Sequence, residues 1–127
     1  MSKNGSVTLT NKWGVTLLEV HIRHRLSNDP NREHSKSFYY LPANETTEKL
    51  PIKYETFSTS FDYWWIKFVT LGGIEYETDN DNFKSNITDR DDGNVNIKID
   101  PGTKKMYVTF SSSGGDSCGL KKSVDIK

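Results

Sequence analysis

Tyr63, Trp65 and Lys67 occupy alternate positions in the run Phe61-Asp62-Tyr63-Trp64-Trp65-Ile66-Lys67-Phe68. Successive side chains of an extended strand point to opposite sides, so these three share one face while Trp64, Ile66 and Phe68 share the other. One apolar face suffices for a core. A second aromatic face offers flat apolar rings with polar tips, which is the chemistry that stacks on sugar rings or rests at a lipid interface. Phe57 and Phe61 extend this face as candidate ligand contacts. Arg23 and Arg25, with Arg32 and Lys36 nearby, supply donors for charge-assisted hydrogen bonds to an anionic headgroup or acidic glycan. Asp29 and Glu33 interrupt that basic cluster. The competing readings are an aromatic face covered by a loop or a second copy of the chain, and basic residues that are simply solvated.

Other residue types capable of chemistry are more scattered. Asp79, Asp81, Asp89, Asp91 and Asp92 lie in two acidic loops that could converge on calcium, an ion that prefers clustered oxygen ligands. Their spacing does not match the helix-loop-helix calcium motif, and Asp and Asn are equally favoured in solvated turns, so no bound cofactor is expected. His21 and His24 are three apart in a strand-like segment and point to opposite faces, a poor arrangement for joint metal ligation. His24 falls on the apolar side and reads as a hydrogen-bonded structural histidine, while His34 reads as solvated. Cys118 has no base beside it in the sequence. A catalytic thiolate needs such a partner, and no phosphate-binding glycine loop, zinc spacing or serine elbow is present. The sequence therefore favours a protein that is not an enzyme.

The elements that must position these residues are strands. The chain has 127 residues, the size of one ordinary domain, and we read 1–127 as a single unit. Its 17 basic residues balance 17 acidic ones, so no long-range positive field exists to gather nucleic acid. There is no apolar leader and no run of roughly eighteen apolar residues, which argues against a secretory signal or membrane-spanning helix. The lone cysteine excludes an intrachain disulfide. A cytoplasmic location is the expectation.

Gly5 to Thr10 reads as a strand, and Asn11-Lys12-Trp13-Gly14 as the turn of a first hairpin. From Val15 to Leu26 the residues alternate, with Leu18, Val20, Ile22 and Leu26 on one face and Glu19, His21, Arg23 and Arg25 on the other. Ser27 to Lys36 is polar enough to be a long exposed loop. Strands are expected over Ser37–Leu41, within Thr47–Thr59 with Pro51 on an edge, and over Asp62–Leu71. Gly72-Gly73 marks a tight antiparallel turn into Ile74–Thr78. Further strands follow at Asn94–Ile99, through Met106, Val108 and Phe110, and from Leu120 to Ile126, after a small-residue loop over Ser111–Gly119. With no helical apolar stripe, about eight short strands at this spacing predict an all-β fold, a single-domain antiparallel β-sandwich.

His24-Arg25-Leu26-Ser27, Asp62-Tyr63-Trp64-Trp65 with Gly73 downstream, Asn82-Phe83-Lys84, and Asp91-Asp92-Gly93 before an alternating strand occur in that order over most of the chain. In this combination the chain resembles the Udp domain, a small family named for raised expression in worms with reduced insulin-like signalling. The resemblance implies one all-β domain and brings no activity onto named residues. At the level of fold alone, small aromatic-rich β-sandwiches also include haemolysin-like and lectin-like proteins.

Three functions compete. The first is a non-catalytic, lectin-like binding module that takes a glycan or other polar ligand through Tyr63, Trp65, Lys67, Phe57, Phe61, Arg23 and Arg25. The second is a membrane-interacting, haemolysin-like protein whose aromatics meet lipid headgroups. The third is a structural interaction domain with the aromatic face buried in a homodimer.

Overall fold

The computed structural model describes residues 3–27, 29–56, 61–80, 83–112 and 114–123. Among them are ten strands and one turn of 3-10 helix, Pro30–Arg32. The strands are β1 (Lys3–Thr10), β2 (Leu17–Leu26), β3 (Glu33–Leu41), β4 (Leu50–Tyr54), β5 (Asp62–Thr70), β6 (Glu75–Thr78), β7 (Phe83–Lys84), β8 (Asn94–Asp100), β9 (Lys105–Thr109) and β10 (Gly115–Lys122). The all-β class is as the alternation implied. The expected eight strands become ten because polar segments also pair.

The strands form one curled sheet in the order β3-β2-β5-β6-β10-β9-β8-β1-β4, with the short β7 on the far part of β5. Strand β10 joins the two halves by pairing with β6 through its end and β9 through its start. The curl brings the outermost strands, β3 and β4, back into proximity, so the sheet is nearly closed. Inside lie Val7, Leu9, Ile22, Trp64, Ile66, Phe68, Ile97, Ile99 and Met106, all fully buried. Each comes from one side of an alternating strand, which explains why a chain with modest apolar content can still fill a core.

Two expectations need correction at the start of the chain. Asn11–Gly14 does not close a hairpin, because β1 pairs antiparallel with β4 and parallel with β8, and never with β2. Asn11 instead crosses between the halves, its buried amide donating to Val15 O and Leu41 O. The sheet is therefore mixed and not purely antiparallel. Near the β8 start, Ser6 N donates to Gly93 O, and a Cβ on Gly5 would collide with that carbonyl.

Strand β2 carries a bulge between Leu17 and Glu19 relative to β5. The extra residue shifts the phase, so Leu17 rather than Leu18 is buried beside Val20. The segment expected as a loop through Lys36 is already strand from Glu33 onward, paired along β2. Likewise Ser111–Gly119 yields to β10 at Gly115, where the lack of a side chain lets the backbone lie against Val108. The Gly72-Gly73 turn holds: Gly73 N donates to Thr70 O, Gly73 adopts φ +85°, and β5 and β6 pair antiparallel. Leu50, Ile52 and Tyr54 are buried, and β4, with Pro51, is an outermost strand as expected. Val124 and Ile126, assigned to a last strand, lie outside the described residues.

Candidate functional site

Strand β5 is buried at Asp62, Trp64, Ile66, Phe68 and Thr70 and partly exposed at every residue between. Tyr63, Trp65 and Lys67 thus stand half-buried on the outer face of the sheet. Opposite them in register are Arg25, Arg23 and His21 of β2. The Arg23 guanidinium lies 5.0 Å from the Trp65 ring centre, and the His21 ring meets Trp65 edge-on at 5.6 Å. Phe61, just before the strand, has the Lys84 ammonium 4.4 Å above its ring. Cationic and aromatic groups therefore alternate across this surface, with Arg23 and Lys84 each lying over a ring.

The outer face is laced with ion pairs as well. Arg25 Nε is 2.6 Å from Glu33, and Lys67 Nζ is 3.8 Å from Glu75. The basic residues grouped by sequence do not stay together. Arg23 and Arg25 join the aromatic face, Lys36 lies over Phe38, and Arg32 pairs with Glu55 at 3.1 Å. Phe57 lies outside the described residues.

The acidic loops are held by local bonds. Asp91 accepts from Thr88 N, Thr88 Oγ1 and Ser112 N, while Asp92 accepts from Asn94 N. Asp89 pairs with Lys3 and accepts from Thr56. These bonds hold the Asp89 and Asp92 carboxyls below the usual range, through Thr56 first for Asp89 and the Asn94 amide first for Asp92. Asp79 is placed elsewhere, beside Cys118 and Gly119, and Asp81 is outside the described residues. Among the described residues no group of three or more His, Cys, Asp or Glu side chains is arranged to hold a metal.

Cys118 is buried, with its thiol 3.4 Å from Asp79 Oδ1. Burial, then the Asp79 carboxylate, push the thiol up to about 11. A neutral thiol is a poor nucleophile. Iodoacetamide at pH 8 is expected to leave Cys118 unmodified in the folded protein and to alkylate it readily in urea. Mass spectrometry of the tryptic peptide checks this, and rapid labelling of the native chain would refute it.

A polar cluster escaped the sequence. His24 is fully buried, and its Nε2 lies 2.7 Å from Asp62 Oδ1. Asp62 Oδ2 accepts from Ile87 N, so both carboxylate oxygens are engaged. On its other side, His24 Nδ1 is 3.3 Å from Nδ1 of His34, which β3 places directly opposite. His34 is therefore a half-buried strand residue and not a solvated loop side chain. Only the register β2–β3–β5 reveals this line of three. The sequence signal was the polar residue at Asp62 in the buried phase of an otherwise apolar strand.

His34 and His21 both have lowered pKa values. Burial is the main cause for each, followed by the charges of His24 and Lys53 for His34, and that of Lys67 for His21. Protonation is thus easier in the unfolded chain. Their contribution is intact above the ordinary value of 6.5 and is lost as pH falls below it. The urea midpoint is expected to drop between pH 7.5 and 5, and His34→Gln should flatten part of that slope. A midpoint constant over this interval would contradict the assignment.

No helix among the described residues is long and apolar enough to cross a membrane. No curated protein matches the chain. The family described as Up-Regulated in long-lived daf-2 matches residues 1–113, which include every strand through β9 and both halves of the β2–β5 surface. The match covers most of the 127 residues, and the chain belongs to this family.

Proposed function

We propose that this chain is a non-catalytic, cytoplasmic binding module that takes a polar, ring-bearing ligand such as a glycan on the outer face of β2 and β5. The observation that carries the reading is the half-exposed Trp65, set between Arg23 and His21 on a surface that folding alone does not require to be aromatic. Tyr63 and Trp65 offer stacking surface, while Arg23, Arg25 and Lys67 offer donors to hydroxyl or acidic groups. Glycan-array binding by the intact chain is expected to fall at least tenfold in Trp65→Ala and Tyr63→Ala, the effect of losing about 1.4 kcal/mol or more. Retention of full binding by both variants removes the site.

A second reading rests on a different surface. Val15, Tyr39, Tyr40, Leu71 and Ile74 are the exposed large apolar residues among those described. The pairing of Leu17 with both Leu41 and Thr70 puts all five at one end of the sheet. Such a tip suits shallow insertion into a lipid interface, as a haemolysin-like protein would require, and it also suits burial against a second copy. Flotation with glycan-free liposomes supports the lipid reading if it is lost in Leu71→Ser and Ile74→Ser. Concentration-dependent sedimentation abolished by the same changes would favour a homodimer instead.

A further inference from the structure

The near-closure of the sheet leaves a seam where β3 faces β4. One cavity there, of about 310 Å³, is lined by Leu26, Asn31, Arg32, His34 and Lys53. An adjoining one of about 270 Å³ is lined by Asn4, Gly5, Pro51 and Ile52, with His34 and Lys53 common to both. These volumes stand near the lower end of those that hold small ligands. The polar lining is unbalanced in sign. Arg32, His34 and Lys53 contribute basic groups and Asn31 and Asn4 contribute amides, whereas no acidic side chain among the described residues lines either cavity.

Of the nearest acids, Glu33 is drawn to another partner, while Glu55 pairs with the site's own Arg32. Glu33 alternates with His34 along β3 and reaches the outer face, where it holds Arg25. Glu55 binds Arg32 through Nη2, and a guanidinium carries five donors in a fork suited to oxyanions. Lys53 Nζ donates to Asn4 Oδ1 at 2.9 Å, which holds the ammonium at the mouth without neutralising it.

Behind His34 stands the buried pair. Asp62 accepts from Ile87 N and from His24 Nε2, which fixes the hydrogen of His24 on that nitrogen. With that hydrogen on Nε2, His24 Nδ1 is placed to accept from His34 Nδ1–H across 3.3 Å, which leaves the lone pair of His34 on Nε2.

We propose that the β3–β4 seam binds a small, multiply charged oxyanion of the phosphate-monoester class through Arg32, His34 and Lys53. In the free protein, burial and the neighbouring His24 and Lys53 keep His34 easily deprotonated, and an arriving dianion reverses that balance. Binding and protonation of His34 are therefore coupled, and affinity rises as pH falls toward the second ionisation of the ligand, about 6 for a phosphate monoester, below which the dianion itself is lost. This site is on the side of β3 opposite Trp65, and its failure would leave the outer-face reading untouched.

The test follows the imidazole carbon resonances of His34 in the full-length chain. They are recorded from pH 5 to 8, with and without inorganic phosphate, and again with vesicles carrying phosphatidic acid. The expected result is an upward shift of the His34 titration midpoint by phosphate. Lys53→Met should weaken phosphate binding by about tenfold or more, the effect of losing one hydrogen bond to a charged group. Lys98→Met, at an exposed position on β8 away from both surfaces, should leave it unchanged. Lys53 is exposed, so its replacement spares the fold. A response to phosphate identifies a soluble ligand, and a response to vesicles alone identifies a lipid headgroup. No movement of His34 with either probe, or equal weakening by Lys53→Met and Lys98→Met, overturns the site.

Discussion

Asp62→Ala is expected to cost about 3–5 kcal/mol of folding stability, the range for removing one partner of a buried charged or strongly polar pair. The carboxylate is almost fully covered and answers two buried donors, His24 Nε2 and the amide of Ile87. The backbone of Asp62 adds to this junction, its amide donating to Asn86 Oδ1 and its carbonyl accepting from Ser85 N. Truncation strands the His24 ring in an apolar setting against Trp64 and frees the segment Ser85–Ile87. Since small domains are stable by about 5–15 kcal/mol in total, the variant should approach unfolding at ordinary temperature. Urea denaturation measures the loss. Asp62→Leu combined with His24→Phe should recover part of it, because an apolar pair strands no donor at that position. A cost below about 1 kcal/mol for Asp62→Ala would show that the pair does not matter to the fold.

Two adjacent tryptophans should respond in opposite ways. Trp64→Ala removes a fully buried indole that packs against His24 and Phe110 and donates from Nε1 to Ser85 O at 2.8 Å. The expected loss is about 3–5 kcal/mol, as for other buried large aromatics. Trp65→Ala removes a half-exposed ring and its contact with Arg23, for about 1 kcal/mol. Trp65→Ala should therefore keep its urea midpoint near that of the parent while losing ligand. Equal destabilisation by the two variants would mean that both faces of β5 are core, and the outer recognition surface would have no basis.

That contrast was legible in the sequence, since a period of two needs only the order of residues to divide Trp64 from Trp65. The Gly72-Gly73 hairpin was legible for the same kind of reason, because its partners are adjacent in the chain. What escaped was the consequence of pairing between distant segments. Asp62 and His24 are 38 residues apart, and nothing local says that they meet. The first residues of β3 looked like loop because, near the seam, its inward positions are His34 and Lys36 rather than aliphatic residues. The reading of Asn11–Gly14 as a hairpin turn followed sequence adjacency, whereas Asn11 is spent on tying the two halves together. The bulge in β2 was equally hidden: one extra residue moves a leucine across the sheet without altering composition.

The parallel contact of β1 with β8 imposes an order on assembly. Ser6 and Asn94, which hydrogen-bond across it, are separated by 88 positions. During synthesis β1 must wait through most of translation before this neighbour exists, and closing so long an excursion is slow relative to forming the β5–β6 hairpin. Until then its apolar Val7 and Leu9 depend on β4 or on a chaperone for shelter. Nascent molecules are thus most prone to aggregate before β8 emerges, and the mature sheet locks an early segment in place with a late one.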